Sequence, residues 1–161
     1  MTTLFISDLH LDENRPVITE AFFRFMDQKA SSAESLYILG DFFEVWIGDD
    51  DPAPFNQGII AKLRAFTDTG KKLFVMVGNR DFLMSDGFAQ QTGATMLADP
   101  TLIDLNGTAT LLMHGDSLCT QDIEYMTFRQ QARSEVWQQQ MLSQPVEVRR
   151  ALAAQLRAQS K

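Results

Sequence analysis

Cysteine is almost missing from this sequence. Cys119 stands alone in 161 residues, so no disulfide can form within the chain, which accords with a reducing compartment. Long apolar runs are missing too: LFVMV and LLM fall far short of the roughly 20 residues that a membrane-spanning helix needs. No basic segment followed by an apolar stretch opens the chain, so a secretory leader is not expected. Internal repeats and low-complexity tracts are absent as well. These absences predict a soluble, cytoplasmic chain of single-domain size, long enough to bury a core. Histidine is scarce, with only His10 and His114 present, so the setting of each one matters.

Basic charge is also in short supply. The net charge is −7, and residues 121–161 are about +2, which leaves about −9 on residues 1–120. Such an acidic body is a poor nucleic-acid surface. Clustered carboxylates do suit divalent cations.

What the chain does contain is an alternation of short apolar runs with helical stripes. TLFIS, SLYILG and KLFVMVG read as strands covered on both faces. Between them, residues 17–29 and 55–69 place apolar side chains on one helical face, with Gly70 as a C-cap. This β-α-β-α-β order predicts parallel strands and right-handed crossovers. A short helix is expected over 81–91, a strand over 94–97, and a hairpin about Asn106-Gly107. From Thr120 onward the chain turns Gln-rich and helix-periodic, with Ile123, Met126, Trp137 and Met141 as its apolar side. A second helix begins after Ser143 and Pro145.

The chemistry sits where the strands stop. After the first come Asp8 and His10, two positions apart and so on one side of an extended segment. Asp41 follows the second, Asn79, Arg80 and Asp81 the third, and His114 and Asp116 the return strand of the hairpin. In parallel α/β sheets these ends face one crevice. Imidazole nitrogen with carboxylate and amide oxygen makes a donor set for manganese, iron or zinc, and the oxygen-rich balance favours manganese. Each fragment alone has an ordinary explanation as a turn, a cap or a hydrogen-bonded histidine. Their order at four strand ends does not.

The series D-x-H, G-D, G-N-R-D and H-G-D over residues 3–116 resembles the calcineurin-like metallophosphoesterases. That resemblance implies an α/β fold, an α-β-β-α sandwich of two mixed sheets with helices outside. The stretches FISDLHL, ILGDFFEVWIGDD, GNRDFL and LMHGDSLCTQDIEYMTFR are similar to the branch of that family that hydrolyses UDP-2,3-diacylglucosamine in lipid A biosynthesis. The likeness implies two Mn2+ ions, one held by Asp8, His10 and Asp41 and the other by Asp41, Asn79 and His114, with Asp41 bridging. It assigns catalysis to Arg80, Asn79 and His114, and substrate contacts to Asn79, Arg80, Asp122 and Ser160. Residues 1–119 would be the catalytic core and 120–161 a helical lid. The substrate would bring the protein to the cytoplasmic face of the inner membrane, where the arginines of 129–157 could meet anionic headgroups. Trp46, Met84, Phe128, Met141 and Leu152 are candidates for an acyl trough or for core. The family's final G-H-x-H motif does not occur by Lys161, so three protein ligands per metal, weak metal binding and little turnover are expected of residues 1–161 alone. Another phosphoesterase activity, on phosphodiesters or nucleotides, and a non-catalytic scaffold of the same fold are the alternatives.

Overall fold

In the computed structural model, which describes residues 2–159, the apolar runs pair as anticipated. β1 (Thr3–Ile6), β2 (Ser35–Leu39), β3 (Lys72–Met76) and β4 (Thr95–Leu97) form one parallel sheet in the order β1-β2-β3-β4. The crossovers are α1 (Pro16–Gln28), α2 (Pro54–Asp68) and α3 (Asp86–Thr92). α2 touches both α1 and α3, as crossovers stepping one way across a sheet require. α1 and α2 each open on a proline, whose fixed φ suits a first helical turn. α3 starts later than expected because Asp81 belongs to the loop before it.

Leu36, Ile38, Leu73 and Val75 bury against Phe22, Ile59, Leu63 and Phe88 of the helices. Each such side chain contributes about 1.5–3 kcal/mol on burial. The apolar runs predict strands covered on both faces, and the second face is covered less completely than the first. Phe5, Tyr37 and Phe74 stack across neighbouring strands, with centroids 5.0 and 4.5 Å apart, yet Phe5 remains 38% exposed.

β5 (Thr101–Leu105) and β6 (Thr108–Leu112) form an antiparallel hairpin through Asn106 and Gly107, both at positive φ. The α/β class therefore holds, but neither sheet is mixed among the described residues: one is parallel, the other antiparallel.

The Gln-rich stretch is two helices rather than one, α4 (Ile123–Ala132) and α5 (Glu135–Leu142). Ser134 ends the first and caps the second, its hydroxyl accepting from the Trp137 N–H at 3.1 Å. Trp137 and Met141 turn inward onto the core, whereas Ile123 is 76% exposed, contrary to expectation. α6 (Val146–Gln159) is latched by Arg149, which is buried and donates to the Ile47 carbonyl at 2.6 Å and to both Asp50 oxygens at 2.8 and 2.7 Å. Among the described residues no helix is long and apolar enough to cross a membrane.

Candidate metal centre

β1 ends at Ile6, so Asp8 and His10 do not share a side by strand alternation. They converge through left-handed kinks instead: φ is 57° at Asp8, 51° at His10 and 51° at Asp41. A non-glycine residue in that region costs roughly 1–2 kcal/mol, and such strain concentrates at functional sites. The kinked loops after β1 and β2 run side by side, with Asp8 N–H donating to the Gly40 carbonyl and His10 N–H to that of Asp41, both at 3.0 Å.

Two glycines make room. A Cβ on Gly40, which has φ +97°, would lie 2.3 Å from His114 Nδ1, and one on Gly78 would lie 2.3 Å from Asp41 Oδ1. Beneath them Asp81 is fully buried and accepts from the backbone N–H groups of Asp41, Phe42, Phe43 and Gly78 at 3.2, 2.8, 3.3 and 2.7 Å. One carboxylate thus ties the loop after β2 to the loop after β3. Burial pushes that carboxyl up while the Gly78 N–H pulls the other way, and the charge of Asp41 adds to the rise.

The five expected ligands do come together. Donor atoms of Asp8, His10 and Asp41 lie within 4.8 Å of one another. His10 Nε2 is 3.7 Å and His114 Nε2 3.4 Å from Asp41 Oδ2, so both imidazoles face the same carboxylate. The Asn79 amide oxygen is 3.2 Å from His114 Nε2; with the amide turned over, its nitrogen donates to Asp41 at 2.6 and 3.0 Å. The hydrogen bond to Asp41 drives the His114 imidazole up to about 9, against burial and with help from the Leu39 carbonyl, which accepts from Nδ1 at 2.9 Å. Burial raises the Asp41 carboxyl, but His114 and the Arg80 N–H outweigh it and hold it below its ordinary value of 3.8. The side chains of His114, Asn79 and Asp41 thus bring nitrogen and oxygen donors to one place. The residues present fit a divalent metal of the manganese, iron or zinc type.

Arg80 lies beside this cluster, its backbone N–H donating to Asp41 Oδ1 at 2.9 Å. Asp122 is at the rim, capping α4 by accepting from the Tyr125 N–H at 3.0 Å. Ser160 lies outside the described residues. Asp116, although it follows β6 two residues after His114, anchors α4: its Oδ2 accepts from the Tyr125 hydroxyl at 2.6 Å and Arg129 Nε at 2.9 Å. Sequence reading passed over Glu44, a buried carboxylate facing His10 and Arg80. Its signal was a lone acid inside the apolar stretch FFEVW.

A cavity of about 700 Å³ opens between the cluster and α4–α6. Asn79, Arg80 and Asp122 stand on its polar side, while Trp46, Phe128, Met141 and Leu152 give it apolar walls. Met84, the fifth trough candidate, is core instead, 3% exposed and packed in the main cluster.

The chain is 56% identical over 160 residues to UDP-2,3-diacylglucosamine hydrolase of Cellvibrio japonicus, covering 99% of this chain and 67% of that protein. It is 54% identical to the protein of that name from Marinobacter nauticus, covering 98% and 64%, and 53% identical to that from Azotobacter vinelandii, covering 100% and 67%. It thus spans about two thirds of the length of the curated relatives it matches. The family model for calcineurin-like phosphoesterases matches residues 1–154, a span that contains all five clustered donors, Arg80, α4, α5 and the first part of α6. By its motifs, its donor geometry and that match, the chain belongs to the calcineurin-like phosphoesterase family.

Proposed function

We propose that the protein hydrolyses the pyrophosphate bond of UDP-2,3-diacylglucosamine, giving UMP and 2,3-diacylglucosamine 1-phosphate. The observation that carries this reading is the shared name of relatives 53–56% identical over nearly the whole chain. An apolar-walled cavity opening onto a phosphoesterase donor cluster supports it. Asp8, His10 and Asp41 would hold one divalent cation, and Asp41, Asn79 and His114 a second, with manganese the preferred ion. When bound, such a pair clamps an in-line displacement at phosphorus and lowers the pKa of a water between them.

The chain's own residues do the rest. Arg80 presents a planar fork that matches phosphoryl oxygens bidentately and offsets their developing charge. Asn79 contributes a neutral donor, so an anionic phosphate is not repelled by a third carboxylate. Trp46, Phe128, Met141 and Leu152 shelter acyl chains from water, and Asp122 and Ser160 engage the substrate's polar part. In this reading α4–α6 are the lid.

The protein meets its lipid substrate peripherally at the cytoplasmic face of the inner membrane, and the arginines that charge suggested for that contact are engaged in ion pairs. Arg129 and Arg133 pair with Asp99 and Asp116, Arg149 with Asp50, Arg150 with Asp51, and Arg157 with Asp12 and Glu44. Exposed apolar side chains on and beside the lid, among them Leu118, Ile123 and Val136, suit an interfacial contact better.

The test is product analysis with the full-length protein and Mn2+. Release of UMP from UDP-2,3-diacylglucosamine is expected, with poor hydrolysis of bis-p-nitrophenyl phosphate. The opposite preference would show a general phosphodiesterase.

A further inference from the structure

Glu44 is a carboxylate only 7% exposed, and the reaction outlined above leaves it without a task. Its main chain is pinned to the segment carrying His10, through its N–H donating to the Leu11 carbonyl at 3.0 Å. Oε1 lies 3.7 Å from His10 Nδ1 and 3.6 Å from Arg80 Nη1. Oε2 lies 3.6 Å from Arg15 Nη1 and 4.0 Å from Arg157 Nη2, the latter on α6. A buried carboxylate persists only where charge partners replace its lost hydration. Here the partners come from the loop before α1, the metal-site loops and the lid.

The two oxygens divide the work. Oε1 faces the imidazole whose other nitrogen points at Asp41, and it faces the guanidinium beside that same carboxylate. A carboxylate behind a metal-ligating histidine orients the ring and sets which nitrogen carries the proton. The same atom faces Arg80 and therefore fixes that guanidinium relative to His10. Oε2 extends the arrangement to the lid. This one negative charge thus faces three guanidinium groups, those of Arg15, Arg80 and Arg157.

We propose that Glu44 is a positioning residue, holding the His10 imidazole and the Arg80 guanidinium in a common frame and tying that frame to α6 through Arg157. The catalytic part rests on the function proposed above; the part concerning His10 does not. Second-shell partners of this kind are typically worth 10–100-fold in metal affinity or activity.

The experiment compares the full-length parent protein with E44Q, E44D, R80A and E44Q/R80A. Mn2+ affinity is read from free-ion electron paramagnetic resonance without substrate, and kcat and KM from UMP release. E44Q, which keeps the shape and removes the charge, is expected to weaken Mn2+ binding about tenfold. It should also lower kcat by about 10–100-fold while KM moves less than about threefold. E44D should recover part of both losses, because the charge returns on a shorter stem. At saturating Mn2+, where the weaker metal binding through His10 no longer limits turnover, the kcat of E44Q/R80A should be within about twofold of that of R80A, since the remaining effect of Glu44 on turnover runs through Arg80. Parent-like values of kcat and Mn2+ affinity in E44Q overturn the proposal, as do losses that multiply in the double variant. Should E44Q fail to fold by circular dichroism, E44D decides: intermediate Mn2+ affinity supports the proposal and parent-like affinity overturns it. A parent protein that binds Mn2+ but leaves UDP-2,3-diacylglucosamine intact sinks the function reading, while the Mn2+ comparison still decides whether Glu44 orients His10.

Discussion

Asp8, His10 and Asp41 share a backbone conformation that L-residues avoid, and the residues around them explain why it is retained. Asp81 supplies acceptors for four N–H groups of the surrounding loops, while Gly40 and Gly78 leave the space that His114 and Asp41 fill. Gly78→Ala pushes a methyl to 2.3 Å from Asp41 Oδ1 and 2.4 Å from its backbone nitrogen, and backbone cannot step aside. The expected result is about 1–3 kcal/mol of lost stability in denaturant unfolding, together with weaker Mn2+ binding. Asp81→Ala strands four buried donors and should cost at least about 3 kcal/mol, with Asp81→Asn intermediate because one acceptor survives. Arg80→Ala tests chemistry more than folding: about 2–4 kcal/mol of transition-state stabilisation should vanish from kcat/KM, more than the stability lost by taking one of several partners from Glu44. An unaltered kcat/KM would rule that role out.

At the scale of elements, α4 and α6 are tied to the body by ion pairs, while α5 packs Trp137 and Met141 onto the core. α4 is held by Arg129 and Arg133 on Asp99 and Asp116, and α6 by Arg149 on Asp50. Arg149→Met keeps the buried stem and removes the hydrogen bonds to Gln144, Ile47 and Asp50. The amides of 146–159 should then exchange faster, with local opening made easier by about 1–3 kcal/mol while β2 and β3 stay protected. Acid should release the same latch. The hydrogen bond from Arg149 holds the Asp50 carboxyl below its ordinary 3.8. A carboxyl lowered by folding adds stability above that ordinary value and loses it as pH falls through the lowered one. Exchange in 146–159 should therefore rise selectively in acid and be insensitive to pH near neutrality. Equal acceleration throughout the chain would count against a local latch.

For the molecule as a whole, the cavity is the feature that joins body and helices, because its walls come from both. Leu152→Trp, which fills it from α6, should raise KM for long-chain substrate and spare a short-chain analogue, measured as the ratio of their kcat/KM values. Loss of both in equal proportion would place Leu152 outside the acyl path. Much of this was legible in the linear chain. Runs of Leu, Ile and Val with helical stripes between them dictate a parallel sheet, since each element has one stable way to hide its apolar side. Donor-bearing residues after each of β1, β2 and β3 dictate convergence, since those ends lie along one edge of the parallel sheet, and His114 joins them from the separate hairpin. Local pattern could not supply what depends on contacts distant in sequence. Asp8 and His10 meet through left-handed turns pinned to the Gly40 and Asp41 carbonyls, not through strand alternation. The arginines of 129–157 reach carboxylates between 12 and 116 in ion pairs. Met84 went to the core while Met141 lines the cavity. Composition and periodicity thus determined the fold class and which donor-bearing residues stand at the strand ends, because both follow from where apolar runs stop. Which charges pair, and which apolar side chains face a cavity, was left to the tertiary structure, because both are settled by neighbours that only folding brings within a few ångströms.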